Sequence, residues 1–351
     1  MTGICRSFLS NNKTRNTPMK LNQIVDVRKW PRKKMGGVGY GTREKIVLRH
    51  TKRGKVYYMA KTYGKDIGEL RSELCASTIG RFFGFSVQKT WFCFLPELKM
   101  FPHPLGVLVQ LDVRRQRDIR VGRNQFKENL IHGGDLIGFV DKNFTRLKSL
   151  SERRNAYTLN LVIKALRNYT DKNSNNPKVN IVWEQFFELL VFDALIGGTD
   201  RHYNNWGILE KADNGEFIRL APAFDNGVSL LWKIDEYGLQ FQRDLLVQRF
   251  IKRPESMFKK SPNGKYDLYE VLEALYSIPQ LRGSGVAMRV LERLKVKAEK
   301  IGYLKRAMFK NIPHSRDFRS EEKELSIVFE YVKIRLGLLK SQLIKIVNLY
   351  H

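Results

Sequence analysis

The chain is poor in cysteine, in long apolar runs and in negative charge. Its 351 residues include three cysteines, Cys5, Cys75 and Cys93, which lie far apart. An odd number of widely separated cysteines predicts neither a disulfide framework nor a zinc site, and is typical of a protein in a reducing compartment. No run of about 18 apolar residues occurs, so the sequence predicts no membrane span.

The amino terminus lacks the apolar core of a secretory signal peptide. We therefore expect a cytoplasmic protein of a bacterial cell, and export as an effector without such a signal peptide stays open. Residues 1–20 are polar and irregular, and we expect them to form a flexible terminal segment.

Acidic residues are outnumbered by basic ones, at 35 Asp and Glu against 63 Lys and Arg, which gives a net charge of +28. Such a field attracts polyanions, namely nucleic acid, anionic lipid surfaces or acidic proteins. The basic clusters are Arg114–Arg123, Arg249–Lys260 and Arg289–Lys310. The charge predicts an anionic partner at a basic surface; the alternative is that it only serves solubility.

Two regions of different character follow the terminal segment. Residues 21–111 are strand-rich and contain one helical stripe, Leu70–Phe83, whereas residues 112–351 are mainly helical. The predicted strands of the first region are Ile46–Leu48, Val56–Ala60, Thr90–Leu95 and Leu105–Leu111. Strands first and helices second predict an α+β fold with a small strand-rich lobe and a larger helical lobe.

The helical region also contains a predicted hairpin. Its strands are Trp206–Leu209 and Phe217–Leu220 around an Asp-Asn-Gly turn. The predicted helices are Ser151–Asn168, Ile181–Ile196 and Glu322–Leu349, and Thr170–Pro177 reads as a polar loop. The apolar stripe of the last helix fits packing on its own domain or a coiled-coil dimer.

The segment from Gly197 to Asp225 has the layout of a phosphoryl-transfer site. Asp200 and Asn205 form a D-x-x-x-x-N pattern, and Asp225 follows the predicted hairpin. A carboxylate at Asp200 can accept or orient the proton of an attacking hydroxyl. An amide oxygen and a second carboxylate, Asn205 and Asp225, are ligands that Mg²⁺ prefers. The alternative is a turn that uses these polar residues for its geometry alone.

A glycine-rich segment, Met35–Lys45, precedes the first strong strand. Closely spaced glycines let backbone N–H groups approach phosphate oxygens, although such loops are also common as flexible hairpins. The predicted nucleotide-binding positions in it are Gly37, Gly39, Tyr40, Gly41 and Thr42.

Lys61 and Glu73 are the further residues predicted to take part in nucleotide binding. Lys61 ends an apolar strand and Glu73 lies in the next helix, the order in which a kinase places its phosphate-binding lysine and the partner glutamate. Each residue alone fits an ordinary surface charge. The order of glycine loop, lysine, glutamate, D-x-x-x-x-N and Phe-Asp-x-Gly is the stronger signal.

His202 follows Asp200 by two residues, and its role is open between a loop contact, a bond to the γ-phosphate and a base. A metal phosphodiesterase built on Asp200, His202 and Asp225 is a further alternative. That alternative leaves the glycine loop, Lys61 and Glu73 unexplained.

These residues resemble a known family. Gly198–Gly207 and Leu220–Asp225 are similar to the catalytic segments of HipA-like serine/threonine kinases, in particular of the short CtkA-type branch. Tyr58–Lys61, Ser72-Glu73 and Gly41–Lys45 resemble the family's ATP-lysine strand, its partner glutamate and its phosphate loop. The resemblance covers about residues 35–275 and is specific in the catalytic loop.

The resemblance implies a two-lobed fold akin to both protein kinases and phosphatidylinositol kinases. It implies that Lys61 binds the α- and β-phosphates of ATP, that Glu73 holds Lys61, and that Asp200 is the catalytic base. It further implies that Asn205 and Asp225 bind Mg²⁺. The positions implied to contact adenine are Val109, Gln110 and Leu111.

Two features depart from the family pattern. Phosphorylation of a serine in the phosphate loop switches HipA off, but Gly37–Thr42 has no serine. Thr42 is the only residue in this segment with a hydroxyl of the kind that is usually phosphorylated. The residues before the glycine loop are also too few for the extra subdomain of full-length HipA toxins.

Our main hypothesis is an ATP- and Mg²⁺-dependent serine/threonine protein kinase that acts as a toxin or effector. Its substrate would be a protein, with a nucleic-acid-associated protein as one candidate. A phosphatidylinositol-type lipid kinase and a non-catalytic nucleic-acid-binding module are the alternatives.

Overall fold

A six-stranded sheet forms the first part of the chain in the computed structural model. The structure describes residues 25–33, 45–49, 57–61, 67–95, 105–110, 115–117, 124–126, 128–233, 255–260, 264–311 and 321–350. The terminal segment 1–20, the glycine positions 37, 39 and 41 with Tyr40 and Thr42, and Leu111 lie outside these residues. The lobe boundary predicted after residue 111 therefore stays a prediction.

The sheet has the spatial order β1-β5-β6-β4-β3-β2, and all its neighbours are antiparallel except β1 and β5. Its strands are β1 (Val25–Asp26), β2 (Arg32–Lys33), β3 (Lys45–Arg49), β4 (Tyr57–Lys61), β5 (Thr90–Phe94) and β6 (Leu105–Gln110). The four strands predicted from the sequence are confirmed to within about a residue at most ends. Alternation along the strands places Tyr58, Trp91 and Leu108 in a small apolar cluster of their own.

Helix α1 (Ile67–Phe83) packs against this sheet and against the rest of the chain. Its apolar residues Leu70, Leu74 and Ile79 belong to the main core, as the helical stripe predicted. Gly84 follows the helix with a φ of 77°, a left-handed conformation that ends a helix well when the residue has no Cβ.

The second part of the chain is helical with small sheets. Strands β7 (Arg115–Arg117) and β8 (Asn124–Phe126) pair with each other, and β9 (Glu128–His132), β10 (Gly207–Lys211) and β11 (Phe217–Leu220) form a three-stranded sheet in the order β11-β10-β9. Strands β12 (Glu255–Lys259) and β13 (Lys265–Asp267) form another pair. The predicted hairpin is thus confirmed as β10 and β11.

The helices of the second part are α2 (Gly133–Val140), α3 (Lys142–Arg146), α4 (Leu150–Ala156), α5 (Leu159–Lys172), α6 (Ile181–Ile196), α7 (Leu268–Tyr276), α8 (Pro279–Arg282), α9 (Val286–Glu299), α10 (Ile301–Asn311) and α11 (Glu321–Tyr350). Among the described residues, none of the helices is long and apolar enough to cross a membrane.

The single helix predicted over Ser151–Asn168 is wrong, because it is two helices. Thr158 separates them: its side chain accepts a hydrogen bond from the Leu161 backbone N–H, at 3.2 Å, and so caps the start of α5. The backbone at Thr158 also forms a bridge to Lys259, which holds this residue in an extended conformation. The polar loop predicted from Thr170 begins later, since α5 continues to Lys172.

Helix α6 is almost wholly buried and has the bounds that the sequence predicts. It ends at Gly197, whose φ is 64°; a Cβ there would lie 1.9 Å from the Tyr331 hydroxyl oxygen. Glycine is therefore required by the backbone conformation and by the close approach of α11.

Helix α11 braces both halves of the molecule. Glu324 near its start forms a buried ion pair with Arg71 of α1. Further along, the fully buried Arg335 donates hydrogen bonds to the Ala194 carbonyl near the end of α6, at 2.6 Å from its Nε. The apolar stripe that the sequence predicts is buried against α6, α7 and α9, so the coiled-coil alternative for that stripe is wrong. The buried residues of the stripe are Leu325, Val328, Val332, Leu336, Leu339, Leu343 and Ile346.

Candidate active site

Lys61, at the end of β4, lies against Asp225. Its ammonium donates a hydrogen bond to Asp225 Oδ1 at 3.1 Å, although the two residues are 164 positions apart. The Lys61 side chain is only 3% exposed, whereas the Asp225 side chain is 36% exposed. The strand lysine and the predicted metal-binding aspartate thus meet at one place, with the carboxylate facing solvent.

Glu73 of α1 is buried in the same cluster. Burial raises the pKa of the Glu73 carboxyl, while the Lys61 ammonium and a hydrogen bond from the Asn226 backbone N–H favour its ionised form. Asp225 opposes ionisation as a second negative group. These effects place Glu73, Lys61 and Asp225 in one electrostatic group, and the role of Glu73 in holding Lys61 stays a prediction.

The segment that carries Asp225 is bound to the chain between α1 and β5. The Ala223 backbone pairs with Ser86 and Gln88: the Ala223 N–H donates to the Ser86 carbonyl at 2.8 Å, and the Gln88 N–H donates to the Ala223 carbonyl at 3.1 Å. Beyond it, Asp225 has a φ of 59°, which Asp tolerates better than most residues. The left-handed backbone turns the chain sharply where the carboxylate emerges.

The predicted catalytic loop is folded on itself. The Asn205 side-chain amide donates to the Asp200 carbonyl at 2.7 Å, and the His202 backbone N–H donates to the same oxygen at 2.8 Å. Asn205 is buried, and the Asp200 side chain is 29% exposed. The loop therefore fixes Asn205 through its side-chain nitrogen, while the Asp200 carboxylate stays partly exposed.

Arg201 is a residue of the site that the sequence analysis missed. It is buried and forms a two-pronged ion pair with Asp193 of α6, from Nε at 2.9 Å and from Nη2 at 2.7 Å. Its Nη1 donates to the Asn205 carbonyl at 2.8 Å and to the Phe224 carbonyl at 2.7 Å, and its Nη2 also donates to Asn226 Oδ1 at 2.7 Å. One guanidinium thus binds α6, the catalytic loop and the Asp225 segment together.

Arg201 stays protonated and positively charged in this environment. Burial lowers the pKa of the Arg201 guanidinium, but the Asp193 carboxylate more than offsets that effect, so the pKa is raised overall. The sequence did contain a signal for the pair. Asp193 occupies a position of the apolar period of α6, where a buried carboxylate needs a cationic partner.

His202 contributes to the shape of the loop. Its Nδ1 accepts a hydrogen bond from the Asn204 backbone N–H at 3.1 Å, so in the neutral ring the proton lies on Nε2. On the other side, His132 Nδ1 lies 3.1 Å from the Asn204 carbonyl oxygen. Two histidines therefore hold the Asn204 peptide groups, and this contact favours the loop role over the base role for His202.

The start of α2 supports the catalytic loop with its backbone donors. The Gly134 N–H donates to the Tyr203 carbonyl and the Gly133 N–H to the Trp206 carbonyl, each at 2.9 Å. A Cβ on Gly133 would lie 2.2 Å from the Trp206 ring. The first N–H groups of a helix have no partner within the helix, and here the carbonyls of the loop accept hydrogen bonds from them. The loop can approach this closely because glycine has no side chain.

Arg154 of α4 forms a long ion pair with Asp200. Its Nη2 lies 3.7 Å from Asp200 Oδ1, and the side chains are 48% and 29% exposed. This distance is too long for a strong hydrogen bond. The guanidinium therefore lies beside the carboxylate with donors available to a third group.

The predicted adenine-contacting positions are described in part. Val109 and Gln110 end β6, where Val109 pairs with Met59 and Thr90 in the sheet and is buried. The role of these residues stays a prediction.

The side chains of Asn205 and Asp225 offer the oxygen ligands that Mg²⁺ prefers. Mg²⁺ in phosphoryl-transfer sites takes one or two protein oxygens and completes its shell with phosphate and water. Asp225 supplies a partly exposed carboxylate, and Asn205 supplies an amide whose nitrogen is engaged in the loop. Within the parts of the chain that the structure covers, no cluster of three or more His, Cys, Asp or Glu side chains is placed to hold a metal.

Comparison with known families agrees with this geometry. The HipA-like C-terminal domain model matches residues 36–249, more than half of the chain. The chain belongs to this family. The match spans the lysine strand, α1, the catalytic loop and Asp225, so the residues that meet in the site all lie within the family domain.

Two relatives share the name CtkA. The serine/threonine-protein kinase CtkA of Helicobacter pylori strain J99 is 30% identical over 149 residues, which are 42% of this chain and 44% of that protein. The aligned part thus spans less than half of that relative. The crystal structure of the Helicobacter pylori proinflammatory kinase CtkA matches 93% of this chain and 97% of that one, with 19% identity and a TM-score of 0.57.

A HipA structure is also similar. It comes from the Shewanella oneidensis MR-1 toxin–antitoxin system, in a complex of HipA, HipB and operator DNA, and matches 91% of this chain and 67% of that one, with 12% identity and a TM-score of 0.49. The predicted α+β, kinase-like fold of the HipA type is confirmed by the family match and by the CtkA structure.

Proposed function

We propose that this protein is an ATP- and Mg²⁺-dependent serine/threonine protein kinase of the HipA type, and that it acts as a toxin or effector. The contact that carries the proposal is the 3.1 Å hydrogen bond between Lys61 and Asp225. It joins the residue predicted to bind the ATP phosphates to the residue predicted to bind the metal. A turn-only role for the Asp225 segment does not account for this contact.

Each of the described side chains would have a separate role in phosphoryl transfer. Lys61 would neutralise phosphate charge, and Glu73 would limit the positions that its ammonium can take. Asp200, accessible beside the loop, would orient the attacking hydroxyl and take its proton. Because phosphoryl transfer needs little covalent help from a protein, positioning and charge neutralisation are sufficient roles for these groups.

Mg²⁺, held by Asn205 and Asp225, would supply charge neutralisation at the β- and γ-phosphates of ATP. Arg201 would keep these two ligands at a fixed separation, since it binds the Asn205 carbonyl and the residues on both sides of Asp225. The protein's own contribution is therefore a rigid pair of oxygen ligands.

Replacing Asp200 by Asn tests the activity. We expect transfer of ³²P from ATP to the chain itself or to casein to fall by about a hundredfold or more, because the amide cannot accept the hydroxyl proton. The control is Asp171→Asn, which removes a carboxylate from the exposed surface of α5. Labelling by the Asp200 variant at the level of the Asp171 variant would reject Asp200 as the base.

A second acceptor separates protein from lipid kinases. The Asp200-Arg201-His202 sequence and the net charge of +28 also fit a phosphatidylinositol-type kinase acting at an anionic membrane. The same assay is therefore run with mixed phosphoinositide vesicles. Label in protein and none in lipid supports the proposal, and label in lipid alone replaces it with the lipid kinase.

Arg154 gives a further prediction. Its guanidinium, 3.7 Å from the Asp200 carboxylate, is placed to stabilise negative charge on the phosphoryl group as it approaches the acceptor. We expect Arg154→Gln to lower kcat by about tenfold and to leave the KM for ATP nearly unchanged, since the interaction would form in the transition state. Steady-state kinetics with varied ATP would measure both constants.

The matched control for Arg154 is Lys148→Gln, an exposed cation on the segment just before α4. It removes the same charge from the same region without a contact to Asp200. Equal effects of the two substitutions would show that general surface charge, and not the position of Arg154, matters.

A further inference from the structure

Helix α10 presents a basic face that the proposed kinase site does not use. Between Lys295 and Lys310 the chain has six basic residues and one acidic residue, Glu299. The inner side of α10 is apolar: Leu304 and Met308 are buried in the core where the helix packs against α1 and α11. The outer side is exposed and positively charged.

Three residues of this outer side, Tyr303, Arg306 and Lys310, share one face of α10 because they are spaced by three and four positions, and Lys300 lies just before the helix. All four residues are exposed. We call these four residues the α10 face. Other basic residues nearby have partners in the fold: Lys295 binds Glu292 at 2.7 Å, and the Lys297 ammonium lies 5.5 Å from the centre of the Phe82 ring.

The α10 face contains an aromatic ring that is not buried. Tyr303 is 62% exposed, and the Arg306 guanidinium carbon lies 4.4 Å from the centre of its ring. A tyrosine that served the core would be covered on at least one side of the ring by apolar neighbours. Here one side of the ring meets a cation, and the arrangement is a flat surface of ring and guanidinium surrounded by positive charge.

This chemistry favours one class of anion. Phosphates bind lysine and arginine in any polyanion, but an exposed aromatic ring within the basic surface adds a place for an unpaired base to stack. An anionic membrane or an acidic protein would use the charges without needing the ring. Duplex nucleic acid would also keep its bases stacked on each other and away from Tyr303.

We propose that the α10 face, Lys300, Tyr303, Arg306 and Lys310, binds single-stranded nucleic acid. Lys300, Arg306 and Lys310 would contact successive phosphates, and Tyr303 would stack on a base. None of its four residues belongs to the set proposed for the kinase site. The proposal therefore holds or fails independently of kinase activity.

Fluorescence anisotropy of a labelled 20-nucleotide oligouridine RNA, with the full chain and no ATP, tests the binding. We expect Tyr303→Leu to weaken binding about fivefold or more, because a stacked base contributes that much or more. Tyr303→Phe should bind like the wild type. Arg306→Ala/Lys310→Ala should bind more weakly and show a smaller dependence on salt, since fewer phosphates are neutralised.

The control for the double variant is Lys164→Ala/Arg167→Ala. It removes from α5 two exposed cations that are three positions apart in the sequence. The proposal predicts little change for this control at 150 mM salt. An equal loss in both double variants would overturn it in favour of diffuse electrostatic attraction.

Three further results would also overturn the proposal. The first is wild-type affinity of Tyr303→Leu for the RNA, and the second is equal affinity for a 20-base-pair duplex. The third is that the wild type does not bind RNA but does bind phosphatidylserine vesicles or an acidic protein such as casein, and that Tyr303→Leu binds these ligands equally well. Circular dichroism of each variant checks that α10 remains folded.

Discussion

Asp225→Asn should reduce phosphoryl transfer from ATP by about a hundredfold or more, with the fold intact. The carboxylate that the substitution removes is the partner of Lys61 at 3.1 Å and the predicted ligand of Mg²⁺. A neutral amide holds both cations more weakly than a carboxylate does, so the loss falls on binding and positioning of the phosphates. Asn is suited to the φ of 59° at this position, because Asn and Asp are the non-glycine residues most common in the left-handed region.

The comparison for Asp225→Asn is Asp213→Asn in the exposed turn between β10 and β11. Both substitutions remove one carboxylate and keep the side-chain volume. We expect ³²P transfer to be normal for Asp213→Asn, and calorimetry to show weaker binding of Mg²⁺ with ATP for Asp225→Asn. Equal labelling and equal binding by the two variants would remove Asp225 from the metal site.

Arg201→Met should destabilise the protein by about 3–5 kcal/mol, the second large effect that the structure predicts. The substitution leaves the fully buried Asp193 carboxylate without its cation. It also removes the donors that serve the Asn205 and Phe224 carbonyls and the Asn226 side chain. Urea denaturation followed by circular dichroism measures the free energy of unfolding.

The partner substitution Asp193→Leu completes a double-mutant cycle. The double variant Arg201→Met/Asp193→Leu should be more stable than Arg201→Met alone, because no unpaired charge is then buried. It should nevertheless stay inactive, since nothing replaces the hydrogen bonds from Arg201 to the catalytic loop and the Asp225 segment. Recovery of activity together with stability would show that Arg201 only serves the fold.

An exposed ion pair of the same type provides the reference. Arg289 binds Glu184 at 2.6 Å, with the arginine side chain 56% exposed. Arg289→Met should change the free energy of unfolding by no more than about 1 kcal/mol, because water screens the pair. A large loss there would mean that the Arg201 effect cannot be assigned to burial.

Much of the fold follows from local pattern. Helix α6 has its predicted bounds because a long apolar run ends at Gly197, a residue suited to the left-handed conformation that closes a helix. The hairpin of β10 and β11 follows in the same way from alternation around an Asn-Gly turn. These signals act within about 20 residues, so a single sequence contains them.

Contacts between distant segments were harder to predict. In a chain with 63 basic residues nothing marks Arg201 as one of those that are buried, and its five hydrogen bonds depend on where α6 and the Asp225 segment lie. The support of the catalytic loop by His132, Gly133 and Gly134 likewise joins residues about 70 positions apart. The break between α4 and α5 at Thr158 is set partly by pairing with Lys259.

The position of α11 in the sequence affects when the site can form during protein synthesis. All the predicted site residues precede α11 in the sequence. Two helices that carry residues of the site region, α1 with Glu73 and α6 with the Asp193 partner of Arg201, are bound by Glu324 and Arg335 of α11. A ribosome adds those two residues after the whole site has been translated. Because domains begin to fold while the chain is still growing, the nascent protein carries an unbraced site. The site can therefore be braced only after α11 has been translated.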